Sequence, residues 1–409
     1  MADIGIVGAG TAGLHLGLLL QKGGLEPTLY AERTPEEVRT GRIPATVVHN
    51  YRTRAREREL GANLWDETGT PIEGHWHSIP LPTGEWIQFP GSFTAPSMSV
   101  DYRLYQGDLL EAFEDRGGRV EYGAVDMGAL DALAGRHDLL VVSTGRAAAL
   151  DELFPPIAGR SPFTKPARLL AGGLYAGVAD SGDPHWVVLN LLGPMGEIIN
   201  APMLTAQGTV EILLFECMPG GPMEQIALTP YADDPAAHDK LVLETILQHA
   251  PHVADRVDES SFGVVDPTSI LQGAIVPTVR QSFAKLNGTY AIAVGDAHMV
   301  LDPVIGLGGN CASIGAFALG KTILEGGPFD EPFCRKVDER RLPDILAHFD
   351  FTNVMLQPPP PHVLEVLGAM SQNRALCDDF TENFTDPQRQ LENLATPETA
   401  AAYVARFAS

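Results

Sequence analysis

Ile4-Gly5-Ile6-Val7-Gly8-Ala9-Gly10-Thr11-Ala12-Gly13-Leu14-His15-Leu16-Gly17 decides the fold. Ile4, Ile6 and Val7 predict a short apolar strand. The glycines follow at once as Gly8-x-Gly10-x-x-Gly13, and Leu14, Leu16, Leu18, Leu19 and Leu20 continue as a helix. Strand, glycine turn and helix in that order form a dinucleotide-binding turn. Gly8 permits the tight turn, Gly10 lets a pyrophosphate approach the backbone, and Gly13 lets helix and strand pack closely. The start of the helix, Thr11 and Ala12, then offers free N–H groups and a positive dipole end to phosphate. A second strand, Thr28-Leu29-Tyr30, leads to Glu32, which lies 19 residues after Gly13. An acid at that point accepts the hydroxyls of an adenosine ribose and disfavours a 2′-phosphate.

With 409 residues the chain has room for a large core and more than one domain. Its net charge of −24 argues against nucleic acid and anionic membrane surfaces, which both require basic faces. Cys217, Cys311, Cys334 and Cys377 show no metal-binding or CxxC spacing and read as reduced core thiols, as expected of a cytoplasmic protein. No signal peptide and no membrane span are expected, and no metal site.

Further along, Arg42 to Asn50 reads as extended and 51–62 as helical. His75–Ile79 and Trp86–Phe89 read as strands, and a helix opens at Asp101. Asp138–Val142 is a continuous apolar run, the pattern of a buried parallel strand. Strand patterns dominate Leu169–Val178, Trp186–Leu192, Glu197–Met203 and Val210–Met218, with a helix over Ala236–Ala250. The expected class is α/β, with a Rossmann-like domain over 1–160 and 281–330. A β-sheet substrate domain over 161–280 is inserted in it, with 43–97 also lining the substrate site. A helical region over 331–409 follows.

A second glycine signature falls near the far end. Tyr290–Val294 leads into Gly295-Asp296, and Asp302-Pro303-Val304-Ile305-Gly306-Leu307-Gly308-Gly309-Asn310 runs into a helix. An acid at a strand end can hold a ribityl hydroxyl. A glycine loop at a helix start sets N–H groups against the N1–C2=O edge of a flavin, which is negative when reduced. The pair of signatures points to FAD rather than NAD.

The chain resembles the oxygenase subunits of the two-component styrene and indole monooxygenases, flavin enzymes that epoxidise vinyl-arenes. Besides both glycine signatures, the resemblance is carried by Thr46-Val47 with His49-Asn50, Ala95-Pro96-Ser97, Val100–Gln106, Asp138–Val142 with Thr144-Gly145, and Leu271-Gln272-Gly273. Arg374, Asp379-Phe380-Thr381 and Asn383-Phe384 extend it to nearly the whole chain. It implies an enzyme that receives reduced FAD from a separate NADH:flavin reductase and uses O2 to form a C4a-hydroperoxyflavin. The substrate is a small aromatic alkene or indole, and a homodimer is also implied. The Asp-Gly motif that serves NAD(P)H in single-component hydroxylases of this fold is missing from Asp138–Gly145. An NAD(P)H-dependent aromatic hydroxylase is therefore the weaker alternative, and a flavin carrier without turnover a third.

The resemblance places Ile43, Pro44, Ala45, Val47, Ile72, Ser97 and Pro303 on the pocket wall, with His49, His75 and Asn310 as catalytic residues. Gly306, Gly308, Asn310, Pro303, Gly295 and Asp296 join Gly8, Gly10, Thr11, Ala12, Gly13 and Glu32 as cofactor contacts. Arg42 and Arg103 are candidates for the pyrophosphate, because a dianion needs more than N–H groups. Styrene-type relatives have Asn where this chain has Ala45 and Tyr where it has Ile72. An aliphatic residue at 72 is the more indole-like choice. The expectation is a styrene-type enzyme with an altered size preference.

Overall fold

A computed structural model describes residues 2–146 and 150–408. The first sheet has six strands in the order Phe283–Leu286, Thr289–Ala293, Leu139–Val142, Ile4–Val7, Thr28–Ala31 and Arg119–Tyr122. All neighbours are parallel except the hairpin of Phe283–Leu286 with Thr289–Ala293. The strands Ile4–Val7, Thr28–Ala31 and Leu139–Val142 are buried at every position, which explains their unbroken apolar runs. Helix Thr11–Lys22 is buried from Thr11 to Leu20. It lies between this sheet and helix Gly308–Leu324, where a methyl group on Gly320 would meet Leu19 Cδ2 at 2.7 Å. This is the Rossmann-like half, and its fold is as the glycine signatures imply.

The second sheet crosses the boundary expected at residue 161. Its order is Gly263–Val264, Leu169–Ala176, Gly208–Cys217, Gly196–Thr205, His185–Leu191, Ile72–Pro80, Trp86–Ser99 and Val48–His49, with Ile270–Ala274 also paired to Leu169–Ala176. The join between early and late strands is the parallel pairing of Ile72–Pro80 with His185–Leu191. Val48–His49, Ile72–Pro80 and Trp86–Ser99, all from the early part of the chain, are therefore structural members of this second sheet. A register shift between Ile72 and Gly74 appears against both neighbouring strands. Such a bulge re-aims the side chains beyond it. It brings Ile72 and His75, three residues apart, onto one face: their partners His185 and Val187 are two apart.

Residues after 307 are mainly helical, with Pro358–Pro360 breaking Glu331–Met355 from Pro361–Met370. All four cysteines are buried and unpaired. Among the described residues no helix is long and apolar enough to cross a membrane.

Candidate active site

The two glycine signatures meet. A Cβ at Gly295 would come to 3.2 Å from the Ala12 Cβ, so the Gly295-Asp296 turn lies against the first turn of helix Thr11–Lys22. Gly8 has φ of +108°, and a side chain there would strike the Ser143 carbonyl at 2.5 Å. A Cβ on Gly13 would reach the Gly8 carbonyl oxygen at 2.0 Å. A Cβ on Gly10 meets nothing within 4 Å: this is the open side of the turn.

Helix caps mark the same place. Most longer helices here begin with a side-chain cap, as at Asn50, Asp101, Asp234 and Asp330. The helices opening at Gly10 and Leu307 have none, as is also true of Pro361–Met370, but only the first two start at a glycine signature. Their unsatisfied N–H groups and dipole ends are available to an anionic ligand edge. Exposed Glu32 directly follows strand Thr28–Ala31. Asp296 stands half-open at the other strand end, 3.8 Å from Arg146 Nε. An open cradle, two uncapped helix starts and two strand-end acids fit FAD.

Beside this cleft is a cavity that is partly open to solvent. Its floor is the second sheet, through Val187, Leu189, Ile199, Ala201, Ile212 and Leu214. Its roof is the Pro303–Leu307 loop, and Phe384 and Thr385 close one end. None of the lining residues is Asp, Glu, Lys or Arg. Two polar atoms in the lining, His75 Nδ1 and Ser97 Oγ, have no partner among the described residues. His75 is held well below the usual imidazole pKa by burial and by neighbouring His77, so it is neutral. Its ring meets Phe384 edge-on at 4.4 Å between centroids.

A family profile described as "Styrene monooxygenase A putative substrate binding domain" matches residues 145–256. A protein named Styrene monooxygenase StyA from Pseudomonas sp. is 39% identical over 411 residues, covering 99% of this chain and 98% of the relative. A second of that name, from Pseudomonas fluorescens, is 38% identical with the same coverage. The chain belongs to the styrene monooxygenase family. It is an FAD-dependent monooxygenase. Solved structures share its fold at low identity. The flavin-dependent brominase Bmp2 superposes with a TM-score of 0.68 at 14% identity, covering 99% of this chain and 98% of that one. Klebsiella pneumoniae HpxO complexed with FAD and uric acid gives 0.63 at 17% identity, covering 94% and 96%.

This styrene monooxygenase family member brings His75, Ser97, Pro303, Gly306 and Asn310 together on the cavity. The resemblance puts Ala45 and Val47 on the wall; the structure puts Thr46 and Val48 there. Along 45–48, ending in strand Val48–His49, successive side chains face opposite ways, as in an extended chain. Ala45 and Val47 pack against the core of the Rossmann-like half. Ile43 and Ile72 are fully buried in a cluster with the floor residues Val187, Ala201 and Ile212, and are not among the residues lining the cavity. Pro44 is exposed.

His49 and Asn310, expected as catalytic residues, both spend their hydrogen bonds within the chain. Asn310 Oδ1 accepts from Asn50 N at 3.0 Å and Thr53 Oγ1 at 2.8 Å. Its Nδ2 donates to Val48 O at 3.0 Å and Gly306 O at 3.1 Å. Two lone pairs and two N–H groups are all a carboxamide has. Asn310 clamps the 48–53 segment to the glycine loop.

His49 belongs to a buried chain of polar groups. Its Nδ1 donates to Glu57 Oε1 at 2.7 Å, and its Nε2 accepts from the Tyr102 hydroxyl at 2.8 Å. Tyr105 donates to the same Glu57 oxygen at 2.9 Å. Tyr105 in turn accepts from His15 Nε2, whose Nδ1 accepts from Ser313. These directions follow because a carboxylate only accepts. Arg54 binds the other Glu57 oxygen. Burial alone would raise the Glu57 carboxyl; the hydrogen bond from His49 and the Arg54 charge overturn that and hold it at about 2. The Tyr102 hydroxyl ends this chain against the glycine loop, where a Gly309 Cβ would lie 2.4 Å from it.

The Arg103 guanidinium is engaged within the chain: its Nε and Nη2 donate to Asp101, its Nη1 to Thr268 at 2.8 Å and its Nη2 also to Ser269 at 2.9 Å. Arg42 Nε donates to the Ile270 carbonyl at 2.8 Å. Residues missed by the sequence reading are the floor of the cavity and Phe384 with Thr385. The Val210–Met218 run is apolar on both faces over 212–215, so nothing in it singles out Ile212 and Leu214 for the cavity.

Proposed function

We propose that this chain is the oxygenase component of a two-component system: it takes reduced FAD from a separate NADH:flavin reductase and, with O2, epoxidises small vinyl-arenes of the styrene type. The observation that carries the reading is the uncharged cavity lying between the sheet floor and the Pro303–Leu307 loop. Reduced FAD and O2 supply the oxidising chemistry when bound. The chain supplies a dry apolar floor that holds an aryl ring against the loop. The neutral His75 and the Ser97 hydroxyl are the polar groups able to orient an oxygen-bearing partner. Excluding water prevents loss of the oxidant as hydrogen peroxide.

The direct test supplies full-length protein with photochemically reduced FAD, oxygen and either styrene or indole, without reductase or NAD(P)H. Styrene oxide on chiral chromatography is expected. Hydrogen peroxide alone, or product only after NADH is added, would return the reading to a single-component hydroxylase. Indigo in preference to styrene oxide would move it to indole.

Pocket substitutions separate the wall from the layer behind it. Thr46→Leu is expected to favour small over bicyclic substrates while FAD affinity stays unchanged, read from product ratios. Ala45→Leu, packed against the other core, is expected to lower stability by about 1–3 kcal/mol with little change in that ratio. A reversed outcome would turn the 44–49 segment over.

A further inference from the structure

Glu216 and Asp302 form a buried pair that the reading above does not use. Both side chains are fully shielded from solvent. Asp302 Oδ1 accepts from Val304 N at 3.1 Å; its Oδ2 and both Glu216 oxygens have no donor among the described residues. The strand Gly208–Cys217 explains the placement. Ile212 and Leu214 line the cavity floor. The two-residue period continues their row to Glu216, which meets Asp302 at the start of the cavity roof.

The charges that face Glu216 are Asp302, Glu197 and Arg168. Glu197 is its cross-strand partner. Arg168 holds Glu197 with two hydrogen bonds, at 2.8 and 2.9 Å, so those two charges cancel. Two carboxyls remain side by side with no cation of their own. They cannot both ionise in a buried site, and one shared proton supplies the missing O–H donor. Asp302 already accepts a backbone N–H, which favours its charged form; Glu216 accepts none.

We propose that Glu216 is a positioning residue of the flavin site: as a neutral carboxylic acid it donates its proton to Asp302 and fixes the Pro303–Gly306 turn over the cavity. The turn is then pinned at one end by Glu216 through Asp302 and at the other by Asn310 on the Gly306 carbonyl. The direction of the shifts agrees. Burial, followed by the Asp302 charge, drives the Glu216 carboxyl well above the usual range, and burial raises Asp302 only to about 6.

The proposal rests on the proposed function only in placing the 303–306 turn at the flavin. Infrared spectra of the full-length protein at pH 7 are expected to show a protonated-carboxyl band that Glu216→Gln removes. Titration with oxidised FAD is expected to leave Glu216→Gln within about twofold of wild type, since its amide N–H replaces the donor. Glu216→Leu is expected to weaken binding about tenfold, the loss of one hydrogen bond to a buried charge. Absence of the band, equal weakening in Gln and Leu variants, or unchanged affinity in the Leu variant would overturn the proposal. If Glu216→Leu fails to fold, the band and the Gln variant still decide. Neither readout involves turnover, so failure of the epoxidation reading would leave this result standing.

Discussion

Gly10→Val is expected to abolish FAD binding while the protein stays folded. Gly10 has φ of −81° and ψ of −177°, an extended conformation open to any residue. Nothing lies within 4 Å of where its Cβ would stand. The new side chain therefore costs the fold at most about 1 kcal/mol of helix capping. It fills the side from which a pyrophosphate would approach the helix start. Losing two charge-assisted hydrogen bonds there corresponds to at least about 3 kcal/mol, or roughly 100-fold in affinity. Gly13→Ala is the contrasting case. Its single methyl lands 2.0 Å from the Gly8 carbonyl oxygen, so the turn itself must move, at about 1–3 kcal/mol. Thermal denaturation of the flavin-free protein should be nearly unchanged in the first variant and lowered in the second. A Gly10→Val protein that still binds FAD would remove the phosphate from this turn.

Glu57→Ala carries the largest expected loss of stability, about 3–5 kcal/mol, because it strands a buried guanidinium. Arg54 would keep only its contact with Asp66, and His49 and Tyr105 would lose their acceptor. Glu57→Gln tests the charge alone. The folded-state carboxyl lies at about 2, below its ordinary 4.5, so its contribution is present above pH 4.5 and fades as pH falls towards 2. The stability gap between wild type and Glu57→Gln, measured by denaturant titration, should be widest near neutrality and should shrink through that acid window. A gap that is constant with pH would mean the network does not depend on an ionised Glu57.

Local rules made the Rossmann-like half legible. Ile4–Val7, the glycine turn and the leucine-rich helix are adjacent in sequence, and each matches the geometry that it adopts. The 295–310 signature reads in the same way. What stayed hidden depends on distant pairings. Nothing near His75 announces that its strand runs parallel to His185–Leu191, or that a bulge turns His75 and Ile72 to one face. The resemblance located the 43–49 segment at the site and chose Ala45 and Val47, whereas Thr46 and Val48 line the cavity, since that choice depends on which side the chain presents. His49 reads as chemically poised until Glu57 and Tyr102, eight and 53 positions away, take up both nitrogens. Arg103 reads as a free cation until Asp101, Thr268 and Ser269 engage it.

The shared sheet limits how pieces of this protein can be exchanged with its relatives. A transplant cut at the ends of the matched segment, 145 and 256, would carry His185–Leu191 but leave behind its parallel neighbour Ile72–Pro80. It would also leave behind Ile270–Ala274, which pairs with Leu169–Ala176. Each graft would thus arrive with raw edges on both sides. A chimera that respects the architecture must move 72–99 together with 169–274, or else keep both from one parent. Diversity in substrate range within such a lineage is then expected to accumulate as matched changes in two stretches far apart in the gene, inherited together because they share one floor.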